Sequence, residues 1–193
     1  ASVSSALAPL EYQNTKVNLL DTPGLFDFAG GMYEGIRASE SVLITVSGRG
    51  GMTVGAEKAY KLAKAMGKSF LFAVPQMEVE NSNFDKVLEE VREYCGSGVC
   101  PLVVPVMENH VAVAYVDVLA NKAYKYEKNK AVEIPVPGSV DLETLRMEIS
   151  EAVAETDDEL MEKFFSGEEF TDEELLTGVR SGIEQGVLTP VYA

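Results

Sequence analysis

One histidine, two cysteines and only 16 basic residues against 31 acidic ones leave several chemistries without material in this 193-residue chain. Two cysteines in one turn and a single histidine well apart from them in the sequence leave no plausible metal partner set. Cys95 and Cys100 flank a Gly/Ser turn and read as reduced thiols, with a local disulfide or a redox role as the alternatives. The formal charge of −15 excludes the broad cationic face that grips a phosphate backbone, so any nucleic-acid contact is local. Long apolar runs are also missing, and a bilayer span needs roughly 20 such residues. The stretch Ala1–Leu10 lacks the basic start and apolar centre of a secretion signal. A cytoplasmic protein is the expectation.

What is present is the material of a globular domain, with 46% hydrophobic residues and both charge signs interspersed. The acids crowd Asp141 to Glu174, while Lys58, Lys61, Lys64 and Lys68 sit close together; both runs read as solvated helix faces. Ala6 to Tyr12 and Lys16 to Leu20 are β-prone runs around a polar turn, which predicts a hairpin. A short helix is expected over Gly31 to Ser39, a strand over Ser41 to Ser47, and a helix over Val54 to Met66 stopped by Gly67. Ser69 to Val74 reads as another strand. Asn83 is placed to cap a helix whose apolar face is Phe84, Val87, Leu88 and Val91. Strands alternating with amphipathic helices in this way predict a parallel α/β sheet with right-handed crossovers.

Leu102 to Val106 and Val187 to Tyr192 supply two more strands, so everything between them is a long insertion. Alternation over Val111 to Tyr126 predicts a strand pair there. Ile134-Pro135-Val136-Pro137 is expected to be extended and irregular. Helices over Asp141 to Ala154, Glu159 to Phe165 and Thr171 to Glu184 follow, with acid-rich starts that suit the positive end of the helix dipole.

The most informative octet is Val17-Asn18-Leu19-Leu20-Asp21-Thr22-Pro23-Gly24. A strand ending in Asp, followed by Thr-Pro-Gly, is how a P-loop GTPase brings a carboxylate near magnesium and a glycine amide near the γ-phosphate. That turn is expected to emerge from a buried strand. With Phe26-Asp27-Phe28 after it and the α/β alternation behind it, the order of segments resembles elongation factor G and its relatives along essentially the whole chain. Asp21 to Gly24 matches the start of the family's switch II. Ser47 to Thr53 matches its strand-to-helix turn, and Glu159 to Lys163 with Phe165 and Gly167 to Thr171 resembles a stretch of the insert in its G domain.

The resemblance implies an α/β fold of the P-loop GTPase type, with a mostly parallel sheet, helices on both faces and a mixed α+β insert subdomain. Residues 1–106 and 186–193 would form a partial G domain and 107–185 the insert. It implies GTP and Mg2+ as ligands, with Asp21 acting on the metal through water, Thr22 and Pro23 shaping the turn, and Gly24 facing the γ-phosphate. Ser2 falls at or beside the family's metal-ligating threonine. The ribosome is the implied partner, including its stalk protein through the insert, in elongation or in a release-factor or ribosome-protection relative.

Departures from the family pattern bear on mechanism. No Gly-x-x-x-x-Gly-Lys-Ser/Thr loop occurs in these residues, so this chain by itself is expected not to bind nucleotide. The base-recognition motif Asn-Lys-x-Asp falls on Pro75, Gln76, Met77 and Glu78, a degenerate set. Leu25 occupies the position of the histidine that orients the attacking water, and leucine cannot hydrogen-bond, so no catalytic residue is assigned. His110 lies in the insert and reads as a surface or packing residue. A degenerate, non-catalytic G domain that serves as a ribosome-binding scaffold is the alternative.

Overall fold

A computed structural model describes residues 2–127 and 130–193; Ala1, the first residue of the expected 1–106 segment, lies outside it. The chain opens with a hairpin of β1 (Ala6–Tyr12) and β2 (Thr15–Asp21), in which Tyr12 pairs with Thr15. Its two-residue turn needs positive φ at both positions, and Gln13 and Asn14 supply 46° and 60°. After a short 3-10 turn at Phe26–Phe28 come α1 (Ala29–Ala38), β3 (Ser41–Thr45), α2 (Val54–Ala65), β4 (Ser69–Ala73), α3 (Phe84–Cys95) and β5 (Val99–Glu108). Then follow β6 (Val111–Asp117), β7 (Lys122–Glu127), β8 (Lys130–Ile134), α4 (Leu142–Ala154), α5 (Asp158–Phe165), α6 (Asp172–Glu184) and β9 (Thr189–Tyr192).

Seven of these strands form one sheet in the order β3-β4-β9-β5-β6-β7-β8. The run β3-β4-β9-β5 is parallel, and β6, β7 and β8 extend it in antiparallel fashion. This is the expected α/β fold, with helices packed on the sheet: α2 on β3 and β4, α3 and α4 on β5, and α6 on β4. The insertion adds its strands to the same sheet. β5 crosses the expected boundary between residues 106 and 107 without a break, with a register shift there.

Side chains at the strand centres and the inner helix faces make the core: Phe72, Val74, Val116, Val191, Val91, Ile149 and Val153 are all essentially inaccessible. Each such side chain stabilises the fold by about 1.5 to 3 kcal/mol relative to an exposed one. Tyr60 of α2 meets Phe70 edge to face with centroids 5.3 Å apart, joining helix to sheet. Helix starts are set by side-chain caps. Thr53 accepts from the Ala56 N–H, Asn83 from Lys86, Asp141 from Thr144 and Thr171 from Glu174. At α6 the Glu174 carboxylate also accepts from the Thr171 N–H, completing a capping box. Arg146 of α4 donates to the Val118 and Leu119 carbonyls and pairs with Asp172 at 2.6 Å, tying the end of β6 to α6.

Three expectations need correction. β5 begins at Val99 rather than Leu102, because a register shift against β9 between Pro101 and Val103 lets the sheet absorb a proline. Residues Lys130–Ile134 form β8, a strand that the proline-rich sequence just after it hides. β2 is not buried: every residue of β1 and β2 is exposed, and among the described residues β2 pairs with β1 alone. The outer edge of β3 is likewise unpaired among the described residues. No helix among the described residues is long and apolar enough to cross a membrane.

Candidate functional site

The Asp21–Gly24 turn leaves the end of β2 and is held by the helices beside it. Pro23 is fully buried, and the Thr22 methyl lies so close to Gly35 of α1 that a side chain there would overlap it. On the other side, a Cβ added to Gly55 in the first turn of α2 would stand 2.9 Å from the Gly24 carbonyl oxygen. Two glycines, one per helix, therefore let backbone and turn approach closely. Gly24 itself faces open space, with nothing within 4 Å of where a Cβ would point. The Ser5 hydroxyl donates to the Gly31 carbonyl at 3.3 Å, tying the start of the hairpin to α1.

Asp21 is exposed, and the Ser2 hydroxyl donates to its Oδ2 at 3.2 Å. The two residues assigned to the metal by resemblance thus stand side by side. A carboxylate and a hydroxyl are hard oxygen donors that fit Mg2+, which commonly takes one or two protein oxygens and completes its shell with phosphate and water. No cluster of three His, Cys, Asp or Glu side chains that could hold a metal occurs among the described residues.

Beyond the turn, Leu25 is 52% exposed and offers no hydrogen bond to water. Phe26 is also exposed, but the Lys58 ammonium of α2 sits 3.6 Å from its ring centroid. That cation–π contact joins α2 to the segment after Gly24 a second time.

The degenerate motif Pro75–Glu78 follows β4, and the turn Ser47–Thr53 follows β3. Because β3 and β4 are parallel neighbours, both loops leave the sheet on the same side. They are cross-tied. The Gly48 N–H donates to the Pro75 carbonyl at 3.2 Å, and the Ser47 hydroxyl donates to Gln76 Oε1 at 3.2 Å. Ser82, one of the few buried polar residues, donates to the Gln76 carbonyl at 2.9 Å. Met77 is buried under Gly48, and its carbonyl accepts from Ala112 of β6 at 2.9 Å. Gln76 itself has φ of 68°, a left-handed conformation uncommon outside glycine. Glu78 is exposed and lies close enough to Tyr115 of β6 that, after burial, its charge helps to push that phenol's pKa up. From α3, Glu90 accepts the Met52 N–H at 2.7 Å and closes the Ser47–Thr53 turn.

Ser47–Gly55 therefore touches both parts of the site, the Gln76 loop at its start and the Gly24 turn at its end. Sequence reasoning singled out Ser47–Thr53 but missed Ser82, Glu90, Gly35 and Gly55, whose roles are tertiary contacts that their neighbours in the chain do not announce. Ser82 carried no signal apart from its polarity between apolar segments. His110 sits in the β5–β6 turn with φ of 65° and is exposed, away from the Gly24 turn in sequence and structure alike. Both cysteines are free, and burial pushes their thiols up to about 11 for Cys95 and about 12 for Cys100.

Comparison with known proteins adds three findings. Residues 1–167 match the family model of the elongation factor Tu GTP binding domain. The chain is 35% identical over all 193 residues to an elongation factor G-like protein of Thermotoga maritima, of which it covers 28%. It superposes with a TM-score of 0.89 and 33% identity on a crystal structure of a protein from Thermus thermophilus, covering 98% of this chain and 29% of that one. The chain thus spans under a third of the length of these relatives.

Proposed function

Because this chain belongs to the elongation factor G-like translational GTPases, we propose that it forms the switch II turn, the base-side loops and the insert of a G domain that binds GTP and Mg2+ in the full-length protein. The observation that carries this reading is the Asp21–Gly24 turn, seated on Gly35 and Gly55, with the Ser2 hydroxyl on the Asp21 carboxylate. In the reading, Asp21 and Ser2 orient water and oxygen around the metal, and the Gly24 N–H donates to the γ-phosphate. Thr22 and Pro23 fix the turn by packing. GTP bound with magnesium supplies the phosphoryl group whose transfer to water the family catalyses.

The exposed hairpin supports a further element in the domain. A two-stranded hairpin is marginal in water, and this one exposes Leu7, Leu10, Val17, Leu19 and Leu20. In the large sheet, β3 also has an open edge among the described residues, and Leu43 is 60% exposed. One additional strand pairing with β2 and β3 would satisfy both edges and would lead into a phosphate-binding loop at the end that holds Gly24. Without such a loop the 193 residues lose several charge-assisted hydrogen bonds, each worth about 1.5 to 3 kcal/mol, and bind nucleotide negligibly.

The division into a partial G domain at 1–106 and 186–193 and an insert at 107–185 is part of the proposal. So are the cytoplasm as the site of action, the ribosome as partner and contact with its stalk protein through the insert. Support for the last comes from α4 to α6, which present Met147, Phe165 and Leu176 exposed among acidic residues. A second reading, a scaffold that binds the ribosome without hydrolysis, is favoured by Leu25 standing exposed where a water-orienting group is required. Titration with a fluorescent GTP analogue tests the first reading. The full-length protein binds it at micromolar concentration or below and this chain alone does not; no binding by the full-length protein refutes it. Turnover measured with and without ribosomes then separates GTPase from scaffold.

A further inference from the structure

The carboxylate of Glu90, on α3, is turned onto backbone. Its Oε2 accepts the Met52 N–H at 2.7 Å and lies against Gly51, which is buried and has φ of 67°. A Cβ added to Gly51 would overlap that oxygen, so the bare glycine is what lets the carboxylate reach Met52. Lys86, one turn earlier on α3, stands 3.7 Å from the other carboxylate oxygen and is largely exposed. That surface pair contributes little beside a charge-assisted bond to a backbone N–H.

α3 thus grips the loop between β3 and α2 at two points. Its N-cap residue Asn83 donates its N–H to the Gly48 carbonyl at 2.9 Å, and Glu90 holds Met52 seven residues later, about 10 Å along the helix. The first grip sits beside the contacts to Pro75 and Gln76. The second sits where α2 begins. Thr53, next in the chain, caps that helix by accepting the Ala56 N–H, and Gly55 in its first turn packs on the Gly24 carbonyl. Gly55 is three positions past Met52, so a displaced Met52 carries the start of α2 with it, and the seat of Gly24 moves too.

We propose that Glu90 is a positioning residue for the γ-phosphate: by holding Met52 it fixes the start of α2 and, through Gly55, the place at which Gly24 presents its N–H. The proposal rests on the reading above that Gly24 faces the γ-phosphate, and deepens it with a side chain that acts through backbone alone. A change at Glu90 leaves the Asn83–Gly48 grip intact, so the half of the loop next to Gln76 keeps its position. Loss of Glu90 is therefore felt by a ligand that carries a γ-phosphate and not by one that lacks it.

Three substitutions in the full-length protein separate reach from charge. Glu90→Gln keeps an acceptor oxygen at the same reach, Glu90→Asp keeps the charge but stops one methylene short, and Glu90→Ala removes both. Affinities for GTP and GDP are read by displacement of a fluorescent GDP analogue, with thermal unfolding followed alongside. The Asp and Ala variants are expected to lose about 5- to 30-fold in GTP affinity, the effect of weakening one bond to the phosphate, with GDP affinity unchanged. Glu90→Gln is expected to restore the GTP-to-GDP ratio to within about threefold of the unaltered protein. An unaltered ratio in both the Asp and Ala variants overturns the proposal. So does an equal loss of GTP and GDP, which is what a merely structural contact gives, and so does a Gln variant as impaired as the Ala variant. If Glu90→Ala does not fold, the Asp variant decides alone. Failure of both nucleotides and the analogue to bind the unaltered protein overturns the nucleotide-binding reading and the proposal with it, so the two failures are distinguishable.

Discussion

Gly55→Ala is the most direct test of how the switch turn is seated. The added methyl would stand 2.9 Å from the Gly24 carbonyl oxygen, where ordinary contact starts at 3.4 Å, so the two must part by about 0.5 Å. Because the neighbour is backbone, the turn itself has to move, taking the Gly24 amide with it. Alanine favours a helix over glycine by at most about 1 kcal/mol, a helix-interior value that the first-turn position of Gly55 does not exceed, while overpacking costs about 1 to 3 kcal/mol. The net loss of stability is therefore small, about 0 to 2 kcal/mol. Binding responds differently. A misplaced N–H weakens its bond to the γ-phosphate by about 1 to 2 kcal/mol, about a 5- to 30-fold loss in affinity for GTP. GDP has no γ-phosphate and is expected to bind unchanged. Calorimetric titration of both nucleotides against the full-length variant, with thermal unfolding as the control for folding, reads the outcome. Equal losses for GTP and GDP, or no loss for either, would refute the assignment of Gly24 to the γ-phosphate.

Leu25→His restores a group able to orient water, and ribosome-stimulated turnover is expected to rise by about 10² to 10⁴ if the water-orienting step is what the leucine removes; an unchanged rate argues for the scaffold reading. In the insert, Lys163 foremost, together with the Thr171 N–H and hydroxyl, holds the Glu174 carboxyl down to about 2 from an ordinary 4.5. A carboxyl depressed on folding contributes stability that is complete above its ordinary pKa and fades as pH falls toward the depressed one. Helix α6 is thus expected to weaken between about pH 4.5 and 2, and Glu174→Gln should flatten that part of the acid-unfolding curve followed by circular dichroism. An identical curve would show that the capping box carries no pH-dependent stability.

Local signals in the chain were read well wherever they are enforced locally. The polar turn Gln13-Asn14-Thr15 marked the hairpin because it separates two β-prone runs, and Asn83 marked a helix start because its side chain accepts from the Lys86 N–H; the caps at Thr53 and Thr171 emerge only in the structure. The reading began β5 at Leu102, just after Pro101, since the register shift that accommodates Pro101 depends on β9, almost 90 positions later. The exposure of β2 was hidden for a related reason: its leucines advertise burial, and only the pairing pattern shows that nothing among the described residues covers them. At the site, the Asp-Thr-Pro-Gly string was legible as a turn because proline and glycine end the strand before them. The bond from Ser47 to Gln76 was not, because Gln76 in place of lysine reads as a loss until the hydroxyl it accepts from is seen 29 positions away.

β5 is shared property. Over ten residues, about 33 Å of extended chain, it is bonded to β9 along its first half and to β6 along its second. A domain attached by a flexible tether can swivel freely, but this one is spliced in like a plank common to two floors. Tilting the acidic helices relative to the parallel strands would require bending that plank or unzipping its bonds. The Ala112–Met77 bond then makes the loop beyond β4 the first joint to feel the load.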